Sequence, residues 1–154
     1  MELTNLLSPD CVICNLRAAS KKLVLQDLAG RAARVTGLSE RAIFDTLLER
    51  EKLGSTAVGH GIAIPHGKLA ELTRHYGIVA KLEHPIDFNS ADDEPVDLVF
   101  LLLAPETAGA DHLKALAKVS RLLRDEGVCE RLRHAANSSA LYEMVTKPQS
   151  AAHG

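Results

Sequence analysis

The sequence predicts an α/β fold: a single three-layer α/β/α domain with a central mixed β-sheet. The order of its periodic segments is helices, then short strands, then helices again, which places helical layers on both sides of one sheet. Residues 96–103 are apolar apart from Asp97, the pattern of a central strand covered on both faces. A chain of 154 residues, 46% of them hydrophobic, can bury one sizeable core and has little room for a second.

The first periodic segment is 20–35. Leu23, Leu25, Leu28, Ala29, Ala32 and Ala33 recur at helical spacing behind Ser20, a capping residue, and Thr36-Gly37 ends the run. Ser39 opens a second helix carrying Ala42, Ile43, Leu47 and Leu48, with Glu49-Arg50-Glu51-Lys52 in the following turn, so a helical hairpin is expected. From Ser55 the chain changes to short strands and loops centred on Gly59-His60-Gly61-Ile62-Ala63-Ile64-Pro65-His66-Gly67. Residues 78–82 read as a strand, His84-Pro85 and 89–94 as turns, and 96–103 as the buried strand. Asp111 reads as the N-cap of a helix bearing Leu113, Leu116, Ala117, Leu122 and Leu123, which Gly127 ends. Shorter helices are expected around 130–136 and 139–145. The domain is expected to occupy 1–147, with 148–154 a flexible polar tail.

Composition excludes several classes of function. With 18 basic and 20 acidic residues, a formal charge of -2 and no basic run, the chain has no field for nucleic acid. Aromatics make up 3% and Trp is absent, so stacking platforms for bases or sugars are not expected. The longest strongly apolar run, 98–104, is too short to span a bilayer, and the N-terminus lacks the pattern of a secretory signal. Three cysteines cannot all pair, which points to a reducing, cytoplasmic setting.

The chemistry concentrates in the glycine-rich nonapeptide. His66 lies between Pro65, which fixes the local backbone, and Gly67, which lets the chain turn sharply. An exposed neutral imidazole in that setting is a competent nucleophile towards phosphorus, provided one ring nitrogen is free and the other is hydrogen-bonded. His112 would fall in the first turn of its helix, where free amides favour an anion and disfavour imidazolium. Arg50 precedes Gly54-Ser55-Thr56 and could hold phosphoryl oxygens in a two-pronged grip, with Ser55 and Thr56 as further donors. Each also has an ordinary reading: a turn histidine, a helix-start histidine, a solvated cation and two turn hydroxyls. Asp111 is better suited to capping amides than to holding a metal.

No cofactor is expected. The chain lacks the glycine-lysine phosphate loop, the dinucleotide fingerprint and a serine elbow. A metal-dependent hydrolase built on His60, His66 and His112 is the main rival, yet no histidine pair has the helical spacing of a hydrolytic zinc motif. Cys11 and Cys14 have a zinc-like gap without a second pair, and in an extended segment their sulfurs would face opposite sides. Cys129 reads as a buried helix cysteine. No metal is expected either.

The run from Arg50 through Gly54-Ser55-Thr56 to Ile64-Pro65-His66-Gly67-Lys68 closely resembles the signature of the fructose/mannitol-type IIA proteins of the phosphoenolpyruvate phosphotransferase system. Pro95-Val96-Asp97-Leu98-Val99-Phe100 and Asp111-His112-Leu113 match that family too, so the resemblance covers nearly the whole chain. Ending after one such domain, and with Thr46-Leu47-Leu48-Glu49-Arg50 leading into the signature, the chain is most similar to the nitrogen-related branch. The resemblance implies a phosphohistidine carrier. His66 would correspond to the phosphorylated histidine, through Nε2 in the family's pattern, His112 to its active-site partner and Arg50 to the arginine near the phosphoryl group. It also implies a phosphorylated HPr-like donor and downstream regulatory protein targets in nitrogen, potassium or stress responses; a sugar-specific IIA passing phosphate to a IIB partner is the alternative within the family. The donor would need an apolar surface around His66, to which Ile62 and Leu69 could contribute, although either could equally be core. His60 departs from the family, which tends to have asparagine or another small polar residue there.

Overall fold

The apolar run at 96–103 forms β6, Val96–Pro105, and the rest of the sheet is arranged about it in a computed structural model that describes residues 3–147. The expected tail at 148–154 lies outside the described residues. On one side β6 pairs antiparallel with β5, Tyr76–Ile86, which in turn pairs parallel with β1, Val12–Leu16. On its other side β6 pairs parallel with two short segments in succession, β3 at Ile62–Ala63 and β4 at His66–Leu69. The two-residue β3 also pairs antiparallel with β2, Ala57–Gly59, giving a six-stranded mixed sheet.

Among the described residues five α-helices cover it: α1, Lys21–Thr36; α2, Glu40–Lys52; α3, Ala110–Arg124; α4, Glu126–Arg133; and α5, Ser138–Thr146. Helix α1 begins where the Ser20 side chain accepts from the Leu23 amide and stops at Gly37, whose φ of 79° permits the left-handed cap. The Ser39 side chain likewise accepts from the Ala42 amide. These helices bury Val24, Leu25, Leu28, Ala29 and Ala32 from α1 with Ile43 and Leu47 from α2, packing against each other, β5 and β4. Val79, Leu98 and Phe100 meet Leu122, Leu123, Leu132 and Val145 of α3 to α5. By strand alternation Ile78, Ala80 and Leu101 face the opposite way, towards α1 and α2, and the sheet separates two helical layers as expected.

Several boundaries differ from the sequence reading, each for a local reason. Residues 49–52 are the last turn of α2, not a turn after it. Asp111 does not cap α3; Gly109, at φ 54°, holds the N-cap position and the helix starts at Ala110. Gly127 does not end α3, which stops at Arg124. The Asp125 carboxylate accepts from the Gly127 and Val128 amides, so the glycine sits in the first turn of α4 and shifts the helix expected around 130–136 towards the N-terminus. Strand β5 runs through His84-Pro85, where a register shift between Lys81 and Ile86 accommodates the proline. Cys11 closes a short 3-10 turn ahead of β1, and Cys14 donates to the Ala135 carbonyl, so the two thiols have separate surroundings. No helix among the described residues is long and apolar enough to cross a membrane.

Candidate functional site

The nonapeptide divides into two structures with different jobs. Gly59-His60-Gly61 makes the tight turn between β2 and β3, with φ of 57° at His60 and 80° at Gly61, the two left-handed positions of a hairpin turn that favours Asn-Gly. The His60 amide donates to Asp92 Oδ2 at 2.9 Å and its carbonyl accepts from Arg133 at 2.7 Å. Bonds to Ser90, to this amide and to that of Glu94 hold the Asp92 carboxyl down at about 2. Gly61, at φ 80°, strains any residue with a side chain, and a Cβ there would also displace the Arg133 guanidinium, 2.7 Å away.

His66 lies elsewhere. The Gly61 carbonyl accepts from Asp97 and Leu98 at one end of β6, whereas His66 is in register with Leu102, about 13 Å further along the strand. His60 therefore does not join His66 and His112. Among the described residues no group of three or more histidine, cysteine or acidic side chains is arranged to hold a metal, so the three-ligand site considered from sequence is not assembled.

Around His66 the structure does bring together two distant segments. Its Nδ1 is 2.9 Å from the Ile64 carbonyl, so that nitrogen carries the proton and Nε2 presents its lone pair. Arg50 Nε donates to that Nε2 at 3.2 Å, while Arg50 Nη1 donates to the Gly54 carbonyl at 2.9 Å. The His112 ring lies 5.7 Å from the His66 ring, centroid to centroid, tilted by 52°. Burial, followed by the Arg50 charge, lowers the His66 pKa against the opposing pull of the Ile64 carbonyl. His112 is buried and pushed down to about 4, chiefly by burial and then by His66, Lys68 and His75. Both imidazoles are therefore neutral at pH 7, and His66 offers a half-buried nucleophilic nitrogen facing a guanidinium.

Gly67 makes this meeting possible, though not by turning. It lies inside β4, paired with Leu103, and a Cβ on it would stand 2.6 Å from Thr46 Cγ2 of α2. The bare backbone lets α2 close onto the strand, and from its last turn Arg50 reaches round to His66, whose side chain points to the other face. His112 arrives from the opposite layer, in the first turn of α3.

The family model described as phosphoenolpyruvate-dependent sugar phosphotransferase system, EIIA 2, matches residues 5–147. The chain belongs to this EIIA type 2 family. It is 54% identical over 152 residues to a nitrogen regulatory protein of Bradyrhizobium diazoefficiens, covering 99% of both chains. A fructose-specific EIIA component of Haloferax volcanii is 38% identical over 123 residues, 80% of this chain and 79% of that one. Among solved structures, the nitrogen regulatory protein IIA-Ntr of Neisseria meningitidis superimposes with a TM-score of 0.88 at 30% identity, over 94% of this chain and 99% of the other.

Two expectations for this EIIA domain need correction. Ser55 donates to the Phe88 carbonyl at 2.6 Å and Thr56 donates to Glu51, so both hydroxyls organise the turn and neither is available to His66. Ile62 and Leu69 are core residues; among the described residues, Leu53, three positions after Arg50, and Leu113, next to His112 in the chain, are exposed large apolar side chains.

The sequence reading also passed over two residues. Glu51 is buried, accepts from the Thr56 amide at 3.1 Å and pairs with Lys21 Nζ at 2.9 Å, tying α2, the following turn and the start of α1 together behind Arg50. Its signal was present: it continues the buried stripe of Ile43 and Leu47 at helical spacing, where a carboxylate needs partners. The second is His75, buried and stacked on His112 with ring centroids 6.2 Å apart and planes at 23°. Nothing in its local sequence marks it, since its neighbour is supplied by α3.

Proposed function

We propose that this chain is a regulatory phosphocarrier that accepts a phosphoryl group from a phosphohistidine of an HPr-like protein onto His66 Nε2. The observation that carries the proposal is the division of labour on the imidazole: Nδ1 committed to the Ile64 carbonyl, Nε2 bearing its lone pair beside Arg50. In the transfer the donor's N–P bond breaks and the Nε2–P bond forms. Arg50 Nε, which donates to Nε2 in the free protein, then finds phosphoryl oxygens within reach, while its Nη1 stays anchored on Gly54. Because that anchor and the Ile64 carbonyl are already in place, little reorganisation accompanies the step. His112 borders the same space as a neutral donor. Leu53 and Leu113 supply apolar contact to the donor.

The regulatory role rests on the nitrogen regulatory proteins to which the chain is similar over nearly its whole length. Phosphorylation adds about two negative charges at pH 7, and a downstream protein that distinguishes the two forms would read that difference. The fructose-specific relative supports a second reading, a sugar IIA component that passes the group to a IIB partner. Incubation with phosphoenolpyruvate, enzyme I and an HPr-like donor should add one acid-labile phosphoryl group by mass, and His66→Ala should abolish it. An unmodified native protein, or full incorporation by the variant, refutes the acceptor assignment. Onward transfer to a fructose-type IIB protein would favour the sugar reading.

A further inference from the structure

His75 and His112 share an unusual condition. Both rings are buried, and His75 Nε2 and His112 Nδ1 are the buried side-chain polar atoms without a hydrogen-bond partner among the described residues. Buried polar atoms are almost always paired, and the two orphans lie on neighbouring rings. Burial keeps both rings neutral at pH 7, with Asp111 pulling His75 partly back. A neutral imidazole has one N–H and one lone pair, so the two orphans are complementary whenever one carries the proton and the other does not. With the centroids 6.2 Å apart, a direct bond needs the rings to turn edge to edge and approach by about 1 Å.

We propose that His75 is a positioning residue for phosphoryl transfer: its Nε2–H donates to His112 Nδ1, fixing His112 as the tautomer with its proton on Nε2. Which imidazole nitrogen carries the proton is set by the bond the other nitrogen makes, and here that bond is made by a residue just before β5 that touches neither donor nor phosphate. With Nδ1 occupied as an acceptor, the only N–H His112 can offer a transferring phosphoryl oxygen is that of Nε2. In the other tautomer His112 would present a lone pair to an anion. Lys68 adds positive charge near His112, and Asp111 adds negative charge near His75.

This inference rests on the phosphocarrier reading for its purpose, but its first test does not need phosphate. Ring nitrogen NMR of the free, histidine-labelled protein should show neutral His112 protonated on Nε2, and a proton on Nδ1 overturns the proposal. His75→Phe keeps a stacked ring without a nitrogen; His112 should then become a mixture of tautomers, and the initial rate of transfer from the phosphorylated HPr-like donor should fall about tenfold, the lower range for loss of an orienting partner. His75→Gln, whose amide N–H can donate, should recover a single tautomer and most of the rate. Equal tautomer populations and rates in native and His75→Phe protein overturn the proposal, as does a Gln variant no better than the Phe variant. If native protein takes no phosphate, the phosphocarrier reading fails, while the tautomer measurement still decides the hydrogen bond.

Discussion

Placing a single methyl group at Gly67 should separate the packing of α2 from the chemistry it supports. In Gly67→Ala the new Cβ meets Thr46 Cγ2 at 2.6 Å, where carbon atoms prefer roughly 3.5–4.0 Å, so about 1 Å of movement is forced. Thr46 cannot easily rotate away. Its branched side chain has few rotamers in a helix, and its hydroxyl donates to the Ala42 carbonyl at 2.9 Å. The strain therefore passes to α2. Overpacking of this kind costs about 1–3 kcal/mol, offset by about 0.5–1 kcal/mol because alanine restricts the unfolded chain, which leaves a net loss of up to about 2.5 kcal/mol. A displacement of about 1 Å also stretches the 3.2 Å bond from Arg50 to His66 beyond hydrogen-bonding range. Urea unfolding and the rate of phosphate incorporation should both respond, and both should recover when Thr46→Ser removes the opposing methyl. A Gly67→Ala protein of native stability and native rate would refute the close-packing argument. So would a double variant no better than the single one.

The pH dependence of stability should follow His112. Its folded pKa, about 4, lies below the ordinary 6.5, so the unfolded chain binds more protons between those values. Stability is complete above pH 6.5 and falls as pH drops towards 4, by about 2 kcal/mol from this residue once solvent screening is allowed for; His66 and His75 are shifted in the same direction. Urea titrations of native and His112→Gln protein should diverge in that window, and parallel curves would contradict the assignment. His60→Asn should leave phosphate incorporation unchanged and stability equal or slightly higher, because asparagine suits the first left-handed turn position; a changed rate by mass spectrometry would bring His60 back into the site. Leu113→Glu, at a side chain 68% exposed, should alter stability by no more than about 0.5 kcal/mol while slowing transfer from the donor. An unchanged transfer rate would remove Leu113 from the docking surface.

What could be read from the sequence was what neighbours along the chain decide. Ser20 and Ser39 cap the helices they were expected to cap, and the apolar run in β6 is buried as its composition required. Gly127 misled because a glycine after a helix and one in the first turn of the next look alike until the Asp125 cap is seen. Pro85 marked a turn because proline interrupts ladders, yet an irregular strand edge tolerates it. In the site, the meeting of Arg50, His66 and His112 was anticipated through family resemblance, while the reason for it was not. Gly67 looked like a turn residue; its function depends on Thr46, which only the packing of α2 reveals. His75 depends on two segments that become neighbours only when β5 and α3 fold together.

Strand β4 also has a bearing on solubility. It pairs with β6 alone, so among the described residues its outer side carries main-chain groups without a neighbouring strand. Such rims recruit strands from other molecules and seed aggregates. Here the rim is four residues long, is preceded by Pro65 with no N–H to offer and carries the exposed cation Lys68. The segment presents too short and too charged a template for an unwanted copy of itself.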